Sequence, residues 1–287
     1  MRNGRTLKVR RVRVQRLQAR WIESMWELYS NHYDNAERAI FERDLSDKQY
    51  VFLGFEDGTD EVRAFSTASI HSHAYRNRRI EVYFSGDTMV DPRYWGQQAL
   101  NRSVVAALLR WRLRHPFRRL YWHLTCNGYR TFLKMANNFA EYWPHPERGL
   151  PEWQRGLIDS ITRERFGVAW RPQEGVVRDH VRLKSHVAPF TSEVRAIPAV
   201  RFFLERNPGY ASGDELSMVG RVNARFFLRI AAKLAAASIR RALGLAPAPR
   251  RPARSDRPTP AVASRSGGWP AAPYRGRVGL THYREEK

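Results

Sequence analysis

The sequence predicts an α+β (α/β) protein: a mixed, mostly antiparallel central sheet with helices on both faces, followed by a C-terminal helical extension. Three observations carry that expectation. Between residues 50 and 90, three strand-like runs are joined by hairpin-turn residues; over residues 97–114 the apolar spacing changes from alternation to a helical stripe; and a further strand-like run opens at Leu120.

Taken in order, Val9, Val12 and Val14 among arginines predict a first strand with a basic outer face, running to about Leu17. From Ile22 to Leu45, Trp26, Tyr29, Tyr33, Ile40 and Phe41 recur at mostly helical spacings, broken near Asn31 to Asn35, which predicts two short helices. Tyr50-Val51-Phe52-Leu53-Gly54-Phe55 is a buried strand, Glu56-Asp57-Gly58-Thr59-Asp60 a hairpin turn, and residues 62–75 its partner strand. Arg76-Asn77-Arg78 turns into Ile80-Glu81-Val82-Tyr83-Phe84, which continues irregularly through Ser85-Gly86-Asp87-Thr88 to Met89-Val90. Leu100, Val104, Leu108 and Trp111 then form one stripe of a helix that His115-Pro116 ends. A strand from Leu120 to Thr125 and a short helix from Tyr129 to Ala136 follow. Beyond Pro144 the pattern weakens to a helix over 151–166, a strand at 181–184, a helix over 200–205, a polar loop at 207–214 and a last helix over 222–243.

The chain of 287 residues has a net charge of +22, with 50 Lys and Arg of which only six are Lys. Eight of those net charges fall in residues 1–20, six in the tail from Ala246, and eight in the body between them. Such a balance suits coenzyme A phosphates, an acidic carrier protein or anionic lipid, with nucleic acid the less favoured partner. The Pro/Ala/Arg-rich residues 244–287 are expected to be disordered. A single cysteine, Cys126, excludes an internal disulfide and a Cys-based zinc site. With no window of about 18 uninterrupted apolar residues and no signal-peptide core, a cytoplasmic location is the default.

A strand that enters a helix through a glycine-containing turn is a natural phosphate site, because the first turn of a helix leaves N–H groups unpaired and carries partial positive charge. Val90-Asp91-Pro92-Arg93-Tyr94-Trp95-Gly96-Gln97-Gln98 has that form. It resembles the phosphate-binding segment of the GNAT (N-acetyltransferase-like) superfamily, in which Val-Asp-Pro leads into Arg/Gln-x-x-Gly-x-Gly/Ala. The match covers Val90, Asp91, Pro92, Arg93 and Gly96; it departs at Gln98, where the family has Gly or Ala. The strand order before the turn, and Cys126-Asn127, the helix at Tyr129 and Asn138-Phe139 after it, fall where the family has its splayed strands, fourth helix and Gly-Phe element. The resemblance spans about residues 9–142.

That resemblance implies a GNAT-like sheet and an acyl-CoA or acyl-carrier-protein thioester as co-substrate, with no metal. The pantetheine arm would lie between the strands ending at Val90 and Cys126. Met89 and Val90 would pair with the arm, Asn127 would hydrogen-bond it, and Arg93, Trp95, Gly96, Gln97 and Gln98 would form the cradle. Acyl transfer to an amine needs a base, oxyanion donors and an acid for the thiolate. By analogy with the family the base is Asp87, where Gly86 makes a bulge, or else Glu81; the acid is Tyr129. The alternatives are a solvated strand carboxylate for each acid and a core aromatic for Tyr129. The early helices, with Tyr33, Phe41 and Asp44, are also similar in layout to N-acyl amino acid and acyl-homoserine lactone synthases.

His71 and His73 share a strand face and are read as surface histidines, and Cys126 as structural. The expected organisation is a core over 1–144, an extension over 145–243 that completes or covers it, and the tail over 244–287. The expected function is acyl transfer to an amine through a ternary complex. The alternative is a non-catalytic basic module of the same fold that grips nucleic acid or anionic membrane. The helix over 222–243 fits either a membrane surface or a cap on the core.

Overall fold

The structure is a computed structural model that describes residues 6–242 and Gly244; the expected disordered tail, Gly244 apart, lies outside the described residues. The chain runs β1 (Leu7–Arg13), α1 (Ala19–His32), β2 (Tyr33–Asp34), α2 (Arg38–Ser46), β3 (Tyr50–Glu56), β4 (Val62–Tyr75) and β5 (Arg78–Val90). It continues through α3 (Ala99–Arg114), β6 (Leu120–Cys126), α4 (Tyr129–Asn138), β7 (Tyr142–Trp143), α5 (Glu152–Phe166), β8 (Trp170–Arg171) and β9 (Val176–Val177). The last elements are β10 (Arg182–Leu183), α6 (Ser192–Ala196), α7 (Pro198–Arg206), β11 (Glu215–Val222) and α8 (Ala224–Ala242).

Nine strands form the central sheet in the order β1-β3-β4-β5-β6-β11-β9-β8, with β7 also on β11; β10 and β2 make a separate two-residue ladder. Every pair in the central sheet is antiparallel except β5 with β6. A mixed, mostly antiparallel sheet with helices on both faces is the architecture expected from the sequence. One face is covered by α3, α4, α7 and α8, whose Leu108, Phe132, Phe203 and Phe226 pack over Leu120 and Met218. On the other face α1 and α2 cover the β3–β4 half through Met25, Phe41 and Phe65, and α5 covers the β6–β11 half through Leu157, Ile161 and Val219.

Besides the short pieces β2, β7, β8, β9 and α6, for which the sequence pattern predicts no element, sequence and structure differ in three places. Residues 215–221, for which the sequence pattern predicts no element, and Val222, expected in the last helix, form β11, which lies beside β6 near the middle of the sheet. Both its faces are covered, so Leu216, Met218, Val219 and Val222 are all buried and the half-buried alternation that marks an exposed strand is missing. Gly220 obscures it further: a Cβ there would sit 2.5 Å from the Phe139 ring and 2.6 Å from Met135 Sδ, so close helix packing demands a residue that weakens strand propensity. The histidines of β4 are not surface groups. His73 is buried under α5, with Nδ1 2.6 Å from the Glu164 carboxylate and Nε2 2.9 Å from Ser160 Oγ, and burial lowers the His71 pKa. The first strand stops at Arg13 in place of Leu17, where a turn of 3₁₀ helix begins.

A polar cluster is sealed between α5 and the sheet. His123 Nε2 lies 3.1 Å from Ser217 Oγ, and Ser217 Oγ lies 2.8 Å from Thr162 Oγ1. Burial, and after it the charge on Arg165, pushes the His123 imidazole well below its ordinary value of 6.5, so the ring is neutral in the folded protein. The unfolded chain takes up a proton there near pH 6.5 and the folded chain does not. Stability is therefore insensitive to this ring above that pH and falls below it, by up to about 1.4 kcal/mol per pH unit. Urea denaturation across mildly acid pH is expected to show a shallower loss for His123→Gln than for the native chain.

Candidate active site

The parallel ladder between β5 and β6 is short. Glu81 to Phe84 pair with Leu120 to His123, and there the pairing stops, although β5 runs on to Val90 and β6 to Cys126. Trp122 Nε1 donates to Ser85 Oγ at 2.8 Å at the point where the strands part. The cause lies in β5. Between Ser85 and Thr88, Gly86 and Asp87 face the single residue Thr67 of β4, which is a β-bulge. The bulge requires glycine, since a Cβ on Gly86 would approach Thr67 Oγ1 to 2.5 Å and Lys48 Cε to 2.9 Å. An extra residue there increases the local twist of β5 and turns its second half away from β6.

At the end of β5 the turn from Val90 to Gln98 is organised around the Asp91 carboxylate. Asp91 Oδ1 accepts from the Arg93 backbone N–H at 2.9 Å, and both carboxylate oxygens accept from the Arg93 guanidinium at 2.6–3.1 Å. Burial alone would raise the Asp91 carboxyl, but its bonds to Arg93 outweigh that and hold it below the usual carboxylate range. Gly96 takes a φ of +91°, which an L side chain rarely adopts. Gln97 Oε1 accepts from the Leu7 N–H at 3.1 Å and ties the turn to β1. Gln98, the departure from the family pattern, is exposed at the start of α3 and accepts from Asn101 Nδ2 at 2.9 Å. Trp95 donates its indole N–H to the Val90 carbonyl at 2.8 Å and lies under the Arg130 guanidinium. The N–H groups in the first turn of α3 have no intrahelical acceptors by construction.

On the face that carries α1 and α2, a narrow cleft opens beside the fork. It is lined by Tyr29, Tyr33, Ile40, Asp44, Asp87, Asp179, Val181 and Glu215, and its free volume is about 20 Å³, room for a water-sized group or a primary ammonium head. Asp87 comes from the diverging half of β5, and Glu215 from β11 across the fork, where its carboxylate accepts from Thr125 Oγ1 of β6. Burial, and after it the charge of Asp87, pushes both the Tyr29 and Tyr33 hydroxyls far above the usual phenol range, so both are neutral donors.

Of the residues singled out in the sequence, the structure brings Asp87 to the cleft, and Met89, Val90, Arg93, Trp95, Gly96, Gln97 and Gln98 to the end of the same strand. Met89 is buried against the α1–α2 cluster. Glu81 stands apart. It lies six residues before Asp87, about 20 Å along the strand, and its carboxylate accepts from Arg118 at 2.7 Å and Ser72 Oγ at 2.9 Å. Tyr129, expected as the acid, donates its hydroxyl to the Pro189 carbonyl at 3.4 Å with its ring against Phe190. Asn127 is buried at the end of β6, where its amide donates to the Tyr210 and Asp214 carbonyls and accepts from Leu183 N–H, each at 3.3 Å. Sequence reasoning missed Tyr29, Asp179 and Glu215 as cleft residues. Tyr29 and Tyr33 at helical spacing were a readable pair, whereas Asp179 and Glu215 lie in segments with no local pattern.

No protein-family profile and no curated protein matches the chain. Solved structures do. A probable N-acyltransferase from Enterococcus faecalis is 16% identical with a TM-score of 0.34, over 48% of this chain and 34% of that one. A GCN5-related N-acetyltransferase from Kribbella flavida is 14% identical with a TM-score of 0.34, over 48% and 34%. A GNAT family N-acetyltransferase (YhbS) from Escherichia coli, in complex with CoA, is 14% identical with a TM-score of 0.34, over 52% and 81%. The chain thus spans about a third of the length of the first two.

The Asp91 cap gives a direct test of the turn. Asp91→Ala removes the acceptor for the Arg93 N–H and is expected to cost about 1 kcal/mol, the usual value of a lost cap. The melting temperature should fall by about 2–4 °C, the range for a domain of 150–250 residues, in differential scanning calorimetry.

Proposed function

We propose that this protein is an N-acyltransferase that moves an acyl group from a coenzyme A thioester to an amine. The observation that carries this reading is the fork itself. A parallel strand pair that separates after four residue pairs ends, on one arm, in a turn suited to pyrophosphate and opens, beside it, onto a cleft lined by carboxylates. In this reading the thioester donor lies along the diverging half of β5, with its pyrophosphate at the N-terminus of α3 and near Arg93, and its arm beside the backbone of Met89 and Val90, where the Val90 carbonyl already accepts from Trp95.

Attack on the thioester needs a neutral amine, whereas a free alkyl amine is protonated at neutral pH. Asp87 is the base in this proposal: it draws the ammonium head into the cleft and takes one proton from it, which frees the lone pair to bond to the carbonyl carbon. When the carbon–sulfur bond breaks, the thiolate must take a proton. The proton comes from the newly bonded nitrogen, which carries one more than the amide retains, while the neutral hydroxyls of Tyr29 and Tyr33 face the cleft as hydrogen-bond donors to the departing sulfur; the Tyr129 hydroxyl, the acid expected from the sequence, donates to the Pro189 carbonyl. Glu215, bonded to Thr125, fixes the opposite wall. A carrier-protein thioester would serve the same chemistry, with its phosphopantetheine arm along the same strand.

Isothermal titration with acetyl-CoA and with a long-chain acyl-CoA is expected to show saturable binding of at least one, weakened about tenfold or more by Arg93→Ala, as loss of a charge-assisted phosphate contact would do. Absence of heat with either thioester and with acyl-carrier protein rules the proposal out. Asp87→Asn is expected to lower kcat by about 10²-fold or more while leaving thioester affinity unchanged, the signature of a lost general base. Release of free thiol from acyl-CoA with a panel of amines measures this; an unchanged kcat removes Asp87 from the base role.

A further inference from the structure

We infer that the face of the sheet covered by α3 and α8 docks on an anionic lipid surface, with exposed apolar side chains entering the lipid and arginines meeting its headgroups. This surface is separate from the cleft, and its argument does not depend on the proposed reaction.

Acids are missing from α3, α4 and α8 on this face, although α7 beside them carries Glu205. From Pro92 to Ala140 the chain has nine Lys and Arg and no Asp or Glu, and from Leu216 to Gly244 it has six and none. These stretches include α3, α4 and α8, which lie on one face. The acid that follows, Glu141, is already engaged by Arg221 at 3.1 Å and by Asn223 at 2.7 Å. The carboxylates of the cleft belong to the opposite face.

Within this basic field stand large apolar side chains that the other described residues leave exposed. Phe117 is 97% exposed and Leu113 72% exposed at the end of α3, and Leu228 is 68% and Ile239 58% exposed on α8. The two groups bracket one end of the sheet. Val222, two residues before α8, pairs with Leu120, three residues after Phe117. Phe226 anchors the start of α8 in the core and Lys233 bonds to the Asn137 carbonyl, while every residue from Ala231 to Arg240 is exposed among the described residues. Leu228 and Ile239 fall on one side of that helix, with Arg225, Arg229 and Arg240 on the neighbouring side. An acid-free helix with adjoining apolar and basic sides has the form of one that lies in a membrane interface. No helix among the described residues is long and apolar enough to cross a membrane.

Charge complementarity selects this occupant. A second copy seated on the same face would oppose arginines to arginines. A nucleic acid would engage the arginines, but it gives exposed leucine, isoleucine and phenylalanine side chains little apolar surface to bury. An anionic bilayer satisfies both, since basic residues gain near its surface and apolar side chains gain beneath it.

The test is co-sedimentation of the full chain with vesicles of phosphatidylcholine alone, or of phosphatidylcholine with one part in three of phosphatidylglycerol. Binding to the anionic vesicles is expected to be at least about tenfold tighter than to the neutral ones and to weaken with added salt. The double variant Leu113→Ser/Phe117→Ser keeps every charge and alters two exposed positions. It should lose about tenfold or more on anionic vesicles while its circular dichroism and its retention on heparin stay unchanged. Leu228→Ser tests the α8 side independently and should also weaken vesicle binding. Absence of vesicle binding, equal binding to neutral vesicles, or unchanged anionic binding in both serine variants overturns the inference. Unchanged vesicle binding together with tight binding to duplex DNA would mark the face as an electrostatic site for nucleic acid.

Discussion

The pairing between β5 and β6 ends because β5 carries one more residue than its other neighbour can match, and much of the molecule is arranged around that mismatch. Gly86 and Asp87 face Thr67 alone, and no side chain fits at Gly86 without displacing Thr67 or Lys48. A bulge in an interior strand leaves backbone groups without a ladder partner, which is costly unless something else satisfies them. Here the divergence leaves the second half of β5 unpaired with β6, and it brings Asp87 to a cleft to which α1, α2 and β11 each bring polar groups. The same twist delivers the end of β5 to a turn where Asp91, Arg93 and Gly96 set up the start of α3.

How much of this could be read from the sequence depends on how local each cause is. The turn from Val90 to Gln98 was legible because proline, an Asx cap and a glycine at positive φ each leave a residue signature at a fixed offset. The bulge at Gly86 was legible for the same reason: a glycine in a strand marks close backbone approach. The α3 stripe was legible because only one side of that helix is buried. By contrast β11 is covered on both faces and carries Gly220, so its pattern fits neither alternation nor a helix, and with it Glu215 was lost. The helical spacing of Tyr29 and Tyr33 was visible, but their meeting with Asp87 depends on how α1 crosses the sheet. His73 was misread because its covering helix, α5, comes about eighty residues later in the chain.

The polar groups inside the protein follow two different rules. Around His123, Ser217 and Thr162, neutral partners satisfy one another and no charge is buried, which stiffens the junction of α5 with the sheet. In the cleft, carboxylates stand beside phenols that burial and those same carboxylates keep protonated. The first arrangement specifies packing; the second keeps neutral hydroxyl donors beside carboxylate acceptors within one small space.

The place of β11 has a consequence for how the chain assembles. The strand that lies against β6 is made about ninety residues after it, as the register of Leu216 with Cys126 shows. At ordinary rates of synthesis that interval is roughly 5–20 s. Through that time the N-terminal strands can already pair, yet β6 remains an open edge with its hydrogen-bonding groups unfilled. Asn127, at the end of that edge, must also wait for Leu183, Tyr210 and Asp214. Closure of the sheet is therefore a late, long-range event, and a nascent chain halted before Glu215 would present the edge most prone to pair with another molecule.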